Sequence, residues 1–160
     1  MIPLKYDLVE SFSEGLAKVK LGDDETGKYG FIDTTGKEVV PLKYDNVRFF
    51  YKGLAGVELD GKWGFIDKTG KEVVPLKYDD VRSFYEGLAR VRLGDDKTGK
   101  YGYVDTTGKE VVPVKYDYVG YFYEGLARVR LNGKSVFVDQ QGQEYWDMSE
   151  DEARQQMKNR

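Results

Sequence analysis

The chain has 160 residues, of which 40% are hydrophobic and 33% are charged, with a formal net charge of -3 and a pI of about 5.2. This composition is typical of one folded domain, and it excludes a disordered chain and a nucleic-acid binder attracted by bulk positive charge. The absence of cysteine and histidine excludes disulfides, thiolate metal sites and histidine-based catalysis, so we expect no cofactor and no bound metal.

The N-terminal residues MIPLKYD contain no basic segment followed by an apolar one, which a signal peptide requires. No apolar run in the sequence approaches the length of a membrane-spanning helix. We therefore expect no signal peptide and no insertion into a membrane. A cytoplasmic protein and the mature form of an exported protein are both compatible with this sequence.

An internal repeat organises the chain. The tripeptide Lys-Tyr-Asp begins at Lys5, Lys43, Lys77 and Lys115, at intervals of 34–38 residues. After each tripeptide the same motifs follow in the same order, with departures in the last copy: a phenylalanine, Gly-Leu-Ala, an aromatic-Gly pair, Asp-x-x-Gly and Glu-Val-Val-Pro. The sequence therefore predicts one domain of residues 1–146 with four units, at about 5–42, 43–76, 77–114 and 115–146.

Alternating apolar and polar residues within a unit predict antiparallel strands. In unit one, the segment LAKVKL alternates in this way, and KYGFID follows as its return strand. The alternation places Ala17, Val19 and Leu21 in the core and leaves Lys18 and Lys20 in solvent.

The rest of each unit predicts two more strands and a turn. The segment KEVVP should form a third strand that ends at its proline, because proline cannot donate a backbone hydrogen bond to a sheet. The segment YDNVRFF should form a short fourth strand or an irregular crossover, with Val47 and Phe50 pointing inward. The segment DTTG and its counterparts are typical of a type I turn capped by the Asp side chain. These turn acids are Asp33, Asp67, Asp105 and Asp139.

A single unit has too few apolar side chains to offset the entropy of ordering it, so the units should share cores by stacking. We predict an all-β fold of about four tandem antiparallel hairpin or meander units in an open, solenoid-like array. The segment MIPLKYD matches the late part of EVVPLKYD, so a small closed propeller-like ring, in which the N-terminal segment completes the last unit, is the alternative. Units of this length are short for propeller blades, which favours the open array.

The C-terminal residues 147–160 have a different pattern. Ser149 and Glu152 form the Ser-x-x-Glu signature of a helical capping box, and Ala153 and Met157 share one face of the segment that follows. We expect a short helix that covers the end of the last unit, since terminal units of a repeat array need a polar outer surface.

Two segments, LGDDETGK and LGDDKTGK, contain the G-x-x-x-x-G-K pattern of a phosphate-binding loop. A tyrosine follows each Lys in place of the Ser or Thr that holds magnesium, and the acidic residues would repel phosphate. Unit two has the shorter LDGKWG at the same place, so both segments are interpreted as enlarged hairpin tips. Their acids lack the spacing of a calcium loop. They offer a variable contact surface at Asp23, Asp24, Asp95 and Asp96.

Two further surface features suggest binding. Unit four has YDYVGYFYEG where unit three has YDDVRSFYEG, which suggests an aromatic contact patch of Tyr118, Tyr121 and Tyr123. Packing beneath the C-terminal helix is the alternative interpretation. A basic row outside the core comprises Lys18, Lys20, Arg90, Arg92, Arg128 and Arg130. Gly56 and Glu58 interrupt this row in unit two, and we interpret it as a solvated strand face, with an anionic partner as the alternative.

The stretch GLAGVELDGKWGFIDKTGKEVVPLKYDDVRSFYEG, residues 53–87, resembles the bacterial WG repeat, also called the KWG repeat. The resemblance covers about residues 5–146. The Trp63-Gly64 pair becomes Tyr29-Gly30 and Tyr101-Gly102 in units one and three, whereas unit four has Ser135-Val136. The resemblance implies an all-β repeat array without a known catalytic constellation, with binding or scaffolding as its supposed function.

The recurring aromatic-Gly pairs, turn acids and phenylalanines are interpreted as packing elements, since a Gly in a strand lets a neighbouring ring lie over the backbone. These positions are Trp63, Gly64, Tyr29, Gly30, Tyr101, Gly102, Asp33, Asp67, Asp105, Asp139, Phe12, Phe50, Phe84 and Phe122.

We expect a non-catalytic repeat scaffold whose partner is another protein. A glycan of the cell envelope is the alternative partner. A hydrolase that uses carboxylates is a third hypothesis, because the absence of histidine does not exclude acid–base catalysis by Asp or Glu. No catalytic residue is expected.

Overall fold

The computed structural model describes residues 5–159, in which 16 strands and one helix form. The strands make four antiparallel sheets of four strands each, and each sheet is built from strands that are consecutive in the chain. The predicted all-β fold of tandem antiparallel units with a short C-terminal helix is therefore confirmed. Residues 1–4, which belong to the predicted N-terminal segment, and Arg160 of the predicted tail lie outside the described residues.

The order of the strands in each sheet follows the chain. The first sheet contains β1 Leu8–Ser13, β2 Leu16–Leu21, β3 Lys28–Asp33 and β4 Glu38–Tyr44. The second contains β5 Asn46–Val47, β6 Leu54–Leu59, β7 Lys62–Asp67 and β8 Glu72–Tyr78. The third contains β9 Asp80–Val81, β10 Leu88–Leu93, β11 Lys100–Asp105 and β12 Glu110–Tyr116. The fourth contains β13 Tyr118–Val119, β14 Leu126–Leu131, β15 Lys134–Asp139 and β16 Glu144–Tyr145, and helix α1 Glu150–Lys158 follows.

The hydrophobic cores lie between consecutive sheets. Phe31 and Val40 of the first sheet pack against Val47, Phe50 and Val57 of the second unit, and all five side chains are buried. Similar clusters join the second sheet to the third and the third to the fourth. Within residues 5–159, the hydrophobic clusters and ion pairs that link different sheets all link consecutive ones, so the stack is open.

Lys5 and Tyr6, near the N-terminal end of the described residues, contact the first sheet. The hydroxyl of Tyr6 donates to the carboxylate of Glu38 across 2.9 Å, and the ammonium of Lys5 lies 3.2 Å from the same group. Tyr78 and Glu110 repeat this bond between the second and third sheets. Within residues 5–159 the fourth sheet consists of β13–β16 alone, and helix α1 packs against it, so the alternative of a closed ring is wrong.

The third long strand of a unit does not end at its proline. β4 continues through Pro41 to Tyr44, and β8 and β12 run through Pro75 and Pro113 in the same way. Each of these strands is at the edge of its sheet, where the missing N–H group of proline leaves no ladder bond unmade. The prediction of a strand end at proline was wrong because it did not consider the free edge.

The glycine of the aromatic-Gly pair is required by a backbone contact. A Cβ atom on Gly64 would lie 2.4 Å from the carbonyl oxygen of Val74, and the same distance is found at Gly30 and Gly102. The glycine thus allows the backbone of the irregular neighbouring edge strand to lie close to it. The sequence had predicted that an aromatic ring would lie there. In unit four, Val136 takes this position beside β16, which has only two residues and pairs only with the two residues after Val136.

The predicted burial of the β2 side chains is correct at the start of the strand and wrong at its end. Ala17 and Val19 are buried as predicted, but Leu21 is exposed and Lys20 is buried. The enlarged hairpin tip covers Lys20, whose ammonium pairs with Asp24 across 2.8 Å. Alternation along the strand did not reveal this, because the tip folds back over residues that the pattern assigns to solvent.

The C-terminal helix covers the end of the last unit. Its capping box is formed: the Ser149 hydroxyl accepts from the Glu152 N–H, and the Glu152 carboxylate accepts from the Ser149 N–H. Ala153 and Met157 pack against a cluster of the fourth sheet that includes Phe137. No helix within residues 5–159 is long and apolar enough to cross a membrane.

Candidate functional site

The segment that follows the first strand in each of the last three sheets carries a row of exposed aromatic side chains. In the last three units it reads Phe49-Phe50-Tyr51, Ser83-Phe84-Tyr85 and Tyr121-Phe122-Tyr123. The central phenylalanine is buried and its neighbours point outward, because successive side chains of an extended backbone alternate. The outward rings are between 51% and 76% exposed. We call these five residues the aromatic face: Phe49, Tyr51, Tyr85, Tyr121 and Tyr123.

Two kinds of contact hold each segment in place. The buried rings form edge-on pairs with rings of the preceding sheet, at centroid distances of 4.6, 4.6 and 4.9 Å. These pairs are Phe31–Phe50, Phe65–Phe84 and Tyr103–Phe122. In unit one, Phe12 has no such partner within residues 5–159 and is exposed. The tyrosine after each buried ring, Tyr51, Tyr85 or Tyr123, then exchanges two backbone hydrogen bonds with the leucine three residues later, so it stands on a defined turn.

The aromatic-Gly rings lie beneath this surface. Trp63 is buried in the cluster between the second and third sheets. Tyr29 and Tyr101 are partly buried against the corresponding clusters. In the structure these rings are therefore packing elements that support the aromatic face.

Cations connect the rings of consecutive units. The ammonium of Lys18 lies 5.3 Å from the ring centre of Phe49, and the guanidinium of Arg90 lies 5.9 Å from that of Tyr121. Each cation also lies within 5.5 Å of the tyrosine in the aromatic-Gly pair of its own unit. These are cation–π contacts, and they place positive charge along the aromatic face.

In unit two, the cation next to the ring of the aromatic-Gly pair is an arginine from the segment that follows β5. Gly56 leaves space beside the sheet for the side chain of Arg48, whose Cδ atom lies there and whose guanidinium is 4.2 Å from the ring centre of Trp63. Arg48 also donates a hydrogen bond to the carbonyl of Val81 and lies 3.6 Å from a carboxylate oxygen of Asp80. The row of cations is therefore continuous, although the sequence suggested an interruption at Gly56.

Two open grooves lie between the exposed rings. One has a volume of about 600 Å³ and is lined by Arg48, Phe49, Tyr51, Ser83, Phe84 and Tyr85. The other has a volume of about 260 Å³ and lies between the fourth sheet and the helix, where Tyr121, Tyr123, Arg128 and Arg154 contribute to its walls. Both grooves are bounded by aromatic rings and guanidinium groups, which are enriched in protein–protein interfaces.

The three tyrosines predicted in unit four have different environments. Tyr118 and Tyr121 are exposed near Tyr103, whose hydroxyl donates to the carbonyl of Gly120 across 2.5 Å. Burial raises the pKa of Tyr103 to about 12. Tyr123 lies beneath Arg154 of the helix, which donates to its carbonyl across 3.0 Å. The helix thus contacts Tyr123, whereas Tyr121 faces solvent.

The acids of the hairpin tips stabilise the tips themselves. Asp23 accepts from the backbone N–H groups of Glu25 and Thr26, and these hydrogen bonds lower its pKa. Asp95 makes the equivalent bonds, with the same effect on its pKa. Asp24 pairs with Lys20, and Asp96 is exposed. Within the described part of the chain, no group of three or more acidic residues is arranged to hold a metal ion.

The turn acids are held by their own turns. Asp33 accepts from the hydroxyl of Thr35 across 2.6 Å and from the N–H groups of Thr35 and Lys37, which lowers its pKa. Asp67 and Asp105 make the same bonds. Asp139 is buried and also accepts from the hydroxyl of Tyr145 across 2.8 Å.

Several residues of the aromatic face were not found from the sequence. Phe49, Tyr51 and Tyr85 were not singled out, although they flank the recurring buried phenylalanine just as Tyr121 and Tyr123 do. That repeated position was the signal that could have found them. The role of Arg48 was also missed, because it depends on the space above Gly56.

A comparison with known families identifies the repeat. The WG containing repeat matches the chain four times, at residues 1–23, 29–63, 63–97 and 101–134. Searches of curated proteins and of solved structures found no match. The four matches cover most of the sequence and agree with the four stacked sheets. The chain therefore belongs to the WG-repeat family.

Proposed function

We propose that the chain is a non-catalytic scaffold that binds an extended segment of another protein along its aromatic face. The observation that carries this proposal is the exposure of aromatic side chains at equivalent positions in three consecutive units. Apolar groups clustered at a surface are typical of interaction sites.

The form of the face suits an extended chain. Its rings recur in each of the last three units, so they follow the direction of the stack, and the grooves between them are open to solvent. A tyrosine offers a large contact area and has only two side-chain torsions to fix on binding. The backbones of Tyr51, Tyr85 and Tyr123 are already held by paired hydrogen bonds, which reduces the entropy lost when a partner binds.

The arginines favour a protein over a neutral glycan. Arg90 and Arg154 lie beside Tyr121 and Tyr123, and Arg48 and Arg128 line the two grooves between the exposed rings. Guanidinium groups donate several hydrogen bonds and bind carboxylates most strongly. A peptide offers both carboxylates and backbone carbonyls, whereas a neutral glycan has no anionic group.

The environment of the recurring acids favours binding over catalysis. The carboxylates of Asp33, Asp67 and Asp105 each accept hydrogen bonds from their own turn, and their lowered pKa keeps them ionised. A general acid would need a raised pKa at neutral pH. This arrangement explains these three turn acids without a reaction.

Selection from a displayed library of random peptides, in parallel with a panel of glycans, tests the proposal. We expect peptides to be enriched on the wild-type chain, and we expect their affinity to fall at least about tenfold for the Tyr85→Ser/Tyr121→Ser variant. The matched control, Asp23→Asn/Asp95→Asn, changes only the hairpin tips and should bind like the wild type.

Two results would oppose the proposal. Enrichment of no peptide, or of peptides that bind the Tyr85→Ser/Tyr121→Ser variant unchanged, would remove the aromatic face as a protein-binding surface. Binding of a glycan that is lost in the same variant would assign the face to the alternative partner.

A further inference from the structure

The cations near the start of the aromatic face already have acidic partners on the array. Arg48 and Arg82 each approach a carboxylate oxygen of Asp80, at 3.6 Å in both cases. Lys18 approaches Glu10 at 3.4 Å. These carboxylates offset the charge of the cations in the first half of the face.

Arg90 and Arg128 have no such acid. Within residues 5–159, neither guanidinium has a carboxylate oxygen within 4.0 Å, and their close neighbours are rings. Glu150 lines the same groove as Arg128, but it pairs with Arg154 across 2.8 Å. The second half of the face therefore carries two arginines whose charge is not offset by a bonded acid.

A difference between units three and four removes one acid near Arg90. Asp80, which lies near Arg48 and Arg82, corresponds to Tyr118 in unit four, so the acidic position has become aromatic. Arg90 and Tyr121 line one small groove with Tyr103, and Tyr118 lies beside Gly120, whose carbonyl accepts from the hydroxyl of Tyr103. Two exposed tyrosines and an arginine that has no carboxylate partner thus lie around Tyr103 and Gly120.

Tyr121 lies between the two arginines. With Arg90 it lines a small groove toward unit three, and with Arg128 it lines the 260 Å³ groove beside the helix. We define the acid-binding patch by these residues: Arg90, Tyr118, Tyr121, Tyr123 and Arg128. Its tyrosines include the most exposed ring of the aromatic face, Tyr121, at 76% exposure.

We propose that the acid-binding patch binds an acidic protein segment, whose carboxylates pair with Arg90 and Arg128 on the two sides of Tyr121. This inference rests on the proposed function and adds the charge of the partner. The pairing of Arg48 with Asp80 is the internal precedent, because there a carboxylate of the next unit meets an arginine stacked on a ring. A partner carboxylate supplies at unit four the group that Asp80 supplies at unit three.

Because the chain has a net charge of -3, an acidic segment is attracted only close to Arg90 and Arg128. Long-range steering by the whole protein would repel an acidic segment, so affinity must come from direct contacts with the arginines and from ring contacts beside them. Binding should consequently weaken with added salt, and it should not disappear completely while the tyrosine contacts remain.

Fluorescence anisotropy with defined peptides tests the inference. The probe is a labelled peptide of repeated Glu-Pro-Gln triplets, about 15 residues long, which favours an extended conformation. Peptides of Gln-Pro-Gln and Lys-Pro-Gln triplets are the matched comparisons. In about 20 mM salt we expect the Glu peptide to bind at least about tenfold more tightly than the Gln peptide, and we expect no binding of the Lys peptide.

Two variants locate the binding. Arg90→Gln/Arg128→Gln should weaken binding of the Glu peptide at least about tenfold. The matched control is Arg92→Gln, an arginine that donates to the carbonyl of Gly94 and lies outside the patch and its grooves, and it should leave binding unchanged. Far-UV circular dichroism and a thermal melt establish that both variants are folded before binding is compared.

Three results would overturn the inference: equal binding of the Glu and Gln peptides, an unchanged affinity in Arg90→Gln/Arg128→Gln, or binding of an oligogalacturonate but not of the Glu peptide. The library selection separates this failure from failure of the proposed function. If selected peptides without acidic residues bind the aromatic face, only the acidic partner is wrong. If neither the selected nor the Glu peptides bind, both proposals fail.

Discussion

The guanidinium group of Arg48 lies 4.2 Å from the centre of the Trp63 ring, and the Cδ atom of the same side chain lies in the space left by Gly56. The same arginine reaches the next sheet, where it donates to the carbonyl of Val81 and approaches Asp80. One side chain therefore joins two consecutive units and keeps a cation at the position that Lys18 and Arg90 occupy in other units.

Replacement of Arg48 should destabilise the array. We expect Arg48→Ala to lower the free energy of unfolding by about 1–3 kcal/mol, because a stacked cation and a hydrogen bond to a carbonyl are both lost. Arg82→Ala is the matched control, since Arg82 makes only an exposed pair with Asp80, and its effect should stay within about 0.5 kcal/mol. Urea unfolding measures both, and equal losses would contradict the bridging role of Arg48.

Two glycines of the second sheet should respond differently to alanine. Gly64→Ala should cost about 1–3 kcal/mol or more, because the new methyl group meets the carbonyl of Val74 at 2.4 Å and the backbone must shift. Gly56→Ala should be within about 0.5 kcal/mol of the wild type, since its nearest neighbour would be the Arg48 side chain at 3.5 Å. Thermal melts compare the two variants, and a tolerant Gly64 would refute the backbone contact.

Equivalent phenylalanines should contribute unequally to stability. Phe84 is 7% exposed and pairs with Phe65, whereas Phe12 is 39% exposed in unit one. We expect Phe84→Ala to cost about 3–5 kcal/mol through a core cavity, and Phe12→Ala to cost less than half as much. Chemical unfolding at equal protein concentration measures the difference. Similar costs would mean that Phe12 is buried in solution.

The enlarged hairpin tip of unit one should be replaceable. Asp60 of the short tip has a φ of 53°, so a simple deletion that places Thr26 there would strain a β-branched residue. Replacement of residues 22–26 by a single Asp reproduces LDGKYG and should change the free energy of unfolding by less than about 1 kcal/mol. A larger loss, measured by urea unfolding, would show that the tip is part of the folding core.

Acid should destabilise the protein through its turn acids. Hydrogen bonds from the threonine two residues later hold the pKa of Asp33, Asp67 and Asp105 below the usual range. Their contribution is present above the unfolded pKa of about 4 and is lost as pH falls through the folded pKa.

The free energy of unfolding should therefore be nearly constant from about pH 7 to 5 and fall below about pH 4. The triple variant Asp33→Asn/Asp67→Asn/Asp105→Asn keeps acceptors in the turns but removes their titration. As the pH falls below about 4, the free energy of unfolding of this variant should decline less than that of the wild type. An identical decline would assign the acid sensitivity to other carboxylates.

The repeat itself made most of the fold predictable. Four copies of one pattern indicated stacked antiparallel units, and alternation correctly buried Val47 and Phe50. The capping box of Ser149 and Glu152 is local to a few residues and formed as predicted. These features depend on short-range chemistry that repeats in the sequence.

Contacts between strands and units could not be predicted in the same way. The role of Gly64 depends on how β8 crosses it, and the burial of Lys20 depends on how its hairpin tip folds back. The continuous row of cations requires Arg48 to reach across a sheet to Trp63. A linear pattern shows which face a residue takes, but not which side chain from another strand fills the space above it.

The most direct test of the central claim is an NMR titration of the protein with ¹³C-labelled tyrosine rings by a library-selected peptide. The chain contains 13 tyrosines. The four in the aromatic face are exposed, whereas Tyr44, Tyr78 and Tyr116 are fully buried and serve as internal controls. We predict that the ring signals of Tyr51, Tyr85, Tyr121 and Tyr123 shift together while the buried rings stay unchanged. Saturable peptide binding that leaves these four signals unmoved would contradict the aromatic face as the binding surface.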